Sequence, residues 1–182
     1  MYRLAALATA IFLAATSLAG ATEAGWALLR DGGRVVLLVH ANAPGAGDPA
    51  NFDIDNCRTQ RNLSDRGRQQ ARRVGALFAA RAEPVEQVYS SLYCRCLETA
   101  GLAFGDRIVE KMPALDTAPE ADIARDDILA VIRDYSGSGN LVLVTHREVV
   151  AALTGVTPRE AEAVIVAPDG DALAVIGRIV FN

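Results

Sequence analysis

The chain has 182 residues, 51% of them hydrophobic and 22% charged, with a formal net charge of −4. That length and apolar share suit one domain with its own core and exclude a disordered protein. Aromatics make up only 5%, and the 18 basic residues, all arginine except Lys111, are outnumbered by 22 carboxylates and gather in no one segment. Nucleic acid is therefore not an expected partner.

Residues 1–21 read as a signal peptide. Arg3 precedes an uncharged Ala/Leu-rich run from Leu4 to Leu18, and Ala19-Gly20-Ala21 supplies the small residues of a cleavage site. The run is too short for a stable membrane span, which needs about 20 apolar residues. The expectation is an exported, periplasmic protein whose single domain covers residues 22–182.

In that domain Val35–Val39 is a continuous aliphatic run with the length of a buried strand. A Gly/Pro/Asn/Asp-rich loop follows from Ala41 to Asn56. Ser64-Asp65 opens a helix whose apolar positions Ala71, Val74, Leu77 and Phe78 are three and four apart, until Pro84 breaks the pattern. Val85–Tyr89 predicts a second strand, and Ser90-Ser91 is expected to cap a helix reaching about Ala103. Ile108-Val109 suggests an edge strand. A helix is predicted over Ala121–Asp134, a buried strand over Leu141–Thr145, and a short helix over Val149–Leu153 that stops at Gly155. Val164–Ala167 and Leu173–Val180, joined through Pro168-Asp169-Gly170-Asp171, predict a closing hairpin. Strands alternating with helices imply a single-domain α/β sandwich, a mostly parallel sheet covered on both faces.

The cysteines are Cys57, Cys94 and Cys96. In an oxidising compartment Cys57 is expected to pair with Cys94 or Cys96, since a Cys94–Cys96 bridge would close a very small ring. A zinc site fits poorly, because Cys94-x-Cys96 lacks the two-residue gap of common zinc knuckles.

Two histidines complete the titratable set, and both end a buried-strand pattern: Val35–Val39 then His40, and Leu141–Thr145 then His146. Ligands of open α/β sheets bind beyond the carboxyl ends of strands. Two imidazoles at two such ends can share one pocket as nucleophile, base or ligand. Arg95, one turn into the helix after the second strand, can bring a guanidinium fork for phosphate or carboxylate to the same end. The plainer alternative for Arg95 is a surface side chain paired with Glu98.

These residues carry a resemblance. A strand ending in histidine, Leu63-Ser64-Asp65-Arg66-Gly67-Arg68-Gln69-Gln70-Ala71, Ser90-Ser91-Leu92-x-x-Arg95-x-x-Glu98-Thr99-Ala100 and Val144-Thr145-His146 occur in that order. The sequence resembles the histidine phosphatase superfamily, with its phosphoglycerate mutase-like fold. The stretches around Ala43–Pro49, Cys57–Leu63 and Cys94–Cys96 resemble a small group of exported bacterial members. The resemblance implies a phosphomonoesterase in which His40 is the nucleophile and forms a phosphohistidine. Arg95 and His146 would surround the phosphoryl oxygens, and Asp116 or Glu148 would protonate the leaving group. It implies no cofactor and no metal, and a small phosphorylated substrate or inorganic phosphate as partner.

One position departs from the family pattern of Arg-His-Gly: here the triplet is Val39-His40-Ala41. Loss of a phosphate donor costs roughly 2–4 kcal/mol, or about 10²–10³ in rate, if nothing replaces it. Arg61 is the preferred substitute, with Arg58 and Arg147 as alternatives. Arg147 should face away from His146 unless the strand ends there. The second reading is thus an impaired phosphatase that binds an anion or only folds.

Overall fold

The computed structural model describes residues 22–116 and 121–181, so the expected signal peptide lies outside the described residues. The described chain opens with a helix over residues 22–29, α1, and continues β1 (Val35–Val39), α2 (Asp65–Ala80), β2 (Val85–Ser90), α3 (Cys94–Phe104), β3 (Val109–Lys111), α4 (Ala121–Asp134), β4 (Asn140–Thr145), α5 (Arg147–Thr154), β5 (Glu162–Asp169) and β6 (Ala172–Val180). The sheet order is β3-β2-β4-β1-β5-β6. The first four of these strands are parallel, and β5 and β6 add antiparallel neighbours. Among the described residues no helix is long and apolar enough to cross a membrane.

All five residues of β1 and all six of β4 are buried, which is why both lack polar alternation. Their side chains divide between two cores. Val36 and Leu38 join Ala71, Val74 and Phe78 of α2 and Cys96 and Ala100 of α3, with Trp26 of α1 edge-on to Phe78 at 5.2 Å. Val35, Leu37 and Val39 join Ile128, Leu129 and Ile132 of α4 and Val149, Val150 and Leu153 of α5. The result is the expected three-layer α/β sandwich.

Several boundaries differ from the sequence reading. The β5–β6 hairpin is longer, turning only at Gly170-Asp171, because Glu162 lies in a ladder whose register runs to Val180. The edge strand comes later than expected, after a 3-10 turn over Asp106–Ile108. Ser90 ends β2 instead of capping a helix, and α3 begins at Cys94 without a side-chain cap. Helix α5 begins at Arg147, two residues earlier than predicted.

Ser64 caps α2 as expected, its hydroxyl accepting from the Gly67 N–H at 3.1 Å. The same hydroxyl donates to Asn42 Oδ1 at 2.6 Å, and Gln70 accepts from the Asn42 N–H at 2.9 Å. A Cβ on Gly67 would stand 2.1 Å from the Asn42 carbonyl oxygen. The glycine therefore lets α2 approach the segment just after His40.

The disulfide joins Cys57 to Cys94, with Cα atoms 5.7 Å apart, and Cys96 is a free, buried thiol. Residues two apart on a helix differ by about 200° in direction, so Cys94 faces the loop while Cys96 faces the sheet. Closing a loop of 37 residues stabilises the fold by about 4 kcal/mol in the chain-entropy treatment. Cys57→Ser should lower the unfolding free energy in denaturant by about that amount, and reductant should destabilise the parent but not the variant.

Candidate active site

His40 follows β1 directly, and its N–H donates to the Thr145 carbonyl at 3.0 Å. Its Nδ1 lies 2.8 Å from the Ala41 carbonyl, which can only accept, so the proton sits on Nδ1 and the Nε2 lone pair is free. Burial lowers the His40 pKa to about 4; the Ala41 hydrogen bond opposes this, and Arg95 and Arg61 add to it. The ring is thus neutral across the physiological range, with a free lone pair on Nε2. Ala41 lies outside the positive-φ region, so the missing glycine costs no backbone strain. Its N–H donates to Thr99 Oγ1 at 3.0 Å, and that hydroxyl donates to the Arg95 carbonyl at 2.7 Å, tying α3 to the loop after His40.

His146 caps α5, its ring centroid 5.4 Å from that of His40. Its Nδ1 faces Arg95 Nη2 at 3.4 Å; a guanidinium only donates, so Nδ1 accepts and Nε2 carries the proton. Nε2–H then donates to Ser91 Oγ at 2.9 Å, and the Ser91 hydroxyl donates to Asp116 Oδ1 at 2.7 Å. The Leu92 N–H reaches the same carboxylate oxygen at 2.7 Å. Burial, then Arg95 and His40, push the His146 pKa down to about 2. Burial raises that of Asp116.

Arg95 is 2% exposed, with its guanidinium 4.4 Å above the Tyr93 ring. It pairs with Asp48 at 3.0 Å, not with Glu98, which meets Arg68 instead. Asp48 comes from the loop after β1, and its Oδ1 also accepts from the Arg61 N–H at 2.8 Å. Arg61 Nη1 donates to the Ala43 carbonyl at 2.6 Å and the Gly45 carbonyl at 3.4 Å, so this arginine holds the same loop in place. Among the described residues the Nε atoms of Arg61 and Arg95 are buried without a partner. Leaving such donors unpaired costs about 1–3 kcal/mol each, which a bound anion would recover.

A cleft of about 340 Å³ opens onto His40 and is lined by Arg61, Arg147, Glu148 and Glu160 among others. Arg95 and His146 do not line it; they reach it through His40, whose ring lies against that of His146, and through Asp48, which accepts from both Arg95 and Arg61. Val39 brings no charge: its side chain is buried in the α4/α5 core. Arg58 is exposed in the 3-10 turn Cys57–Thr59 and stays out of the cleft. Arg147 lines the cleft because the strand ends at Thr145 and the helix turns it inward, the exception the alternation argument allowed for.

The structure thus gathers His40, Arg95, His146 and Arg61, sets Glu148 in the cleft, and links Asp116 to His146 through Ser91. Sequence reasoning missed Asp48, Ser91 and Glu160. Ser91 was read as a helix cap, and Asp48 and Glu160 stand in stretches without periodicity. Glu160 accepts from Asn42 Nδ2 at 2.8 Å and the Ala43 N–H at 3.3 Å. Among the described residues no group of three or more His, Cys, Asp or Glu side chains converges to hold a metal.

Comparisons with known proteins bear on one stretch of the sequence and on the fold. Residues 53–117 match the model of the histidine phosphatase superfamily (branch 1). No curated protein matches the chain significantly. Similar solved structures include the protein histidine phosphatase SixA complexed with tungstate, 17% identical, covering 80% of this chain and 96% of its own, with a TM-score of 0.56. Phosphoserine phosphatase from Entamoeba histolytica is 11% identical over 82% of this chain and 98% of its own, with a TM-score of 0.60. A mycobacterial glucosyl-3-phosphoglycerate phosphatase is 17% identical over 79% and 97%, with a TM-score of 0.55. Identities this low establish a shared fold and leave the substrate open. Over residues 53–117 the chain is thus similar to the histidine phosphatase superfamily, and its fold is the one these solved phosphatases share.

Proposed function

We propose that the chain is a phosphoric monoester hydrolase that carries the phosphoryl group on His40. The observation behind this is the Nδ1 contact to the Ala41 carbonyl, which leaves the His40 Nε2 lone pair free in a ring that lines one cleft with Arg61 and feels the charges of Arg95 and Arg61. In the reaction Nε2 attacks phosphorus, the bond to the ester oxygen breaks, and that oxygen takes a proton. Water then attacks the phosphohistidine, releasing inorganic phosphate and restoring Nε2. Arg95 and Arg61 neutralise the equatorial oxygens, supplying the charge that position 39 lacks. His146, held by Ser91, orients the Arg95 guanidinium. Asp116 is the proton donor: burial favours its protonated form, as a general acid requires. We further propose that the protein works outside the cytoplasm, as the Cys57–Cys94 disulfide and the leader-like residues 1–21 suggest.

A second reading, an anion-binding protein with little turnover, is favoured by two observations: Val39 is neutral, and Asp48 already occupies Arg95. Acid-quench trapping with an aryl phosphate separates the two. The quench is brief and cold and the protein is then held in alkali; the parent should accumulate a phosphoprotein that is stable in alkali and labile in warm acid, His40→Ala should show none, and Arg95→Ala should cost about 10²–10³ in kcat. Because His40 must be unprotonated to attack and its pKa is about 4, kcat/KM should rise as pH rises through that value. A silent parent that Val39→Arg awakens would instead establish the second reading.

The proton donor is tested by leaving group. Asp116→Asn should lower kcat for alkyl phosphates by about 10²-fold and barely affect p-nitrophenyl phosphate, whose phenolate leaves without a proton. The same split in Glu148→Gln would move the role to Glu148.

Asp48 competes with phosphate for Arg95. Asp48→Ala should therefore tighten phosphate binding by about tenfold in calorimetric titration and increase the rise in Tm that phosphate brings. Unchanged or weaker binding would mean that Asp48 positions the arginine for phosphate.

A further inference from the structure

Beside the His40 cleft lies a second one, of about 650 Å³, and the two share Arg147 and Glu160. One wall is a stripe of α2: Arg66, Gln69, Gln70 and Arg73 stand at i, i+3, i+4 and i+7, on one face of the helix. Arg159, ahead of β5, and Phe181, after β6, close the other side.

Four guanidinium groups, those of Arg66, Arg73, Arg147 and Arg159, therefore meet around one concavity. All four residues are exposed, and none of these side chains has an ion-pair or hydrogen-bond partner among the described residues. Five other arginines, Arg68, Arg81, Arg95, Arg133 and Arg178, each pair with a carboxylate, and Arg30, Arg58 and Arg107, which among the described residues do not, lie outside both clefts. Carboxylates outnumber basic residues in this chain, so unpaired arginines are not forced by composition. The only acid in the wall, Glu160, is turned to Asn42 and the Ala43 N–H. Like charges that converge without neutralisation raise the energy of the empty fold and create a local positive potential that attracts anions.

We propose that this second cleft binds a further anionic group of the molecule whose phosphoryl group lies at His40, so that the preferred ligands are small polyanions bearing at least two phosphate or carboxylate groups. The inference rests on the reading of the His40 cleft as the phosphoryl site. Arg147, in the wall common to both clefts, bridges the two anionic groups. Glu160 sets the division between them.

The test uses linear phosphates of increasing length, from orthophosphate through pyrophosphate and tripolyphosphate to longer chains, as competitors of aryl phosphate hydrolysis. The length series lets the reach between the clefts be found without being assumed. In the parent the inhibition constant should improve by about tenfold or more once the chain spans both clefts. In Arg73→Ala/Arg159→Ala the ratio between orthophosphate and the best chain should shrink to about twofold or less. Arg30→Ala/Arg107→Ala, which removes the same charge from exposed positions outside both clefts, should keep the parent's ratio. Absence of a gain at any length, survival of the gain in Arg73→Ala/Arg159→Ala, or equal loss in both double variants would overturn the proposal. A parent without turnover would defeat the phosphatase reading alone. The same ratio, read by calorimetric titration of the parent and the two variants, would still decide for or against the second cleft.

Discussion

Everything at the site depends on the parallel pairing of β1 with β4. Its register sets Val39 against Thr145, and the hydrogen bond from the His40 N–H to the Thr145 carbonyl carries the alignment one step beyond the strand. Because the strands are parallel, both of their carboxyl ends fall at one edge of the sheet. Two histidines about a hundred residues apart in sequence thus come to lie with ring centroids 5.4 Å apart. A one-residue slip would turn one imidazole into the opposite layer. The aliphatic runs Val35–Val39 and Leu141–Thr145, buried on both faces, are what hold that register.

The second constraint is electrical. One buried guanidinium and two imidazoles meet at these strand ends, and burial keeps both imidazoles neutral. Charge at the centre is therefore carried by Arg95 and balanced by Asp48. The chain from His146 through Ser91 to Asp116 fixes the tautomer of His146 so that its Nδ1 can receive an Arg95 N–H. The free thiol of Cys96 packs against the same imidazole, and burial raises its pKa to about 12, so it stays a neutral, inert neighbour.

Much of this was legible in the sequence, for definable reasons. Continuous aliphatic runs announced the two central strands, and a histidine after each announced the site. Ordered motifs added Arg95 and, through resemblance, Arg61. What escaped notice depends on loop conformation. Asp48 sits in a Gly/Pro-rich stretch where no periodicity says which side chain turns inward, yet it meets the buried guanidinium of Arg95. Ser91 carries the composition of a helix cap, and only the extension of β2 to Ser90 with the later start of α3 at Cys94 leaves its hydroxyl to His146. Cys94 and Cys96 were indistinguishable until the start of α3 fixed which of them faced the loop. The direction of Arg147 turned on a strand ending one residue before His146, within the usual uncertainty of element boundaries.

The loop that carries Asp48 has a consequence for ligand discrimination. A carboxylate tethered by a short segment of the same chain stands before Arg95 at an effective concentration of millimolar order. Any free anion must compete against that standing population and not against water. If Arg95 receives the ligand as proposed, weak monoanions would thereby be kept from the buried guanidinium, while a ligand with several anionic contacts would displace the tether. The loop acts as a threshold on avidity, set by the length and stiffness of the chain and independent of the chemistry that follows.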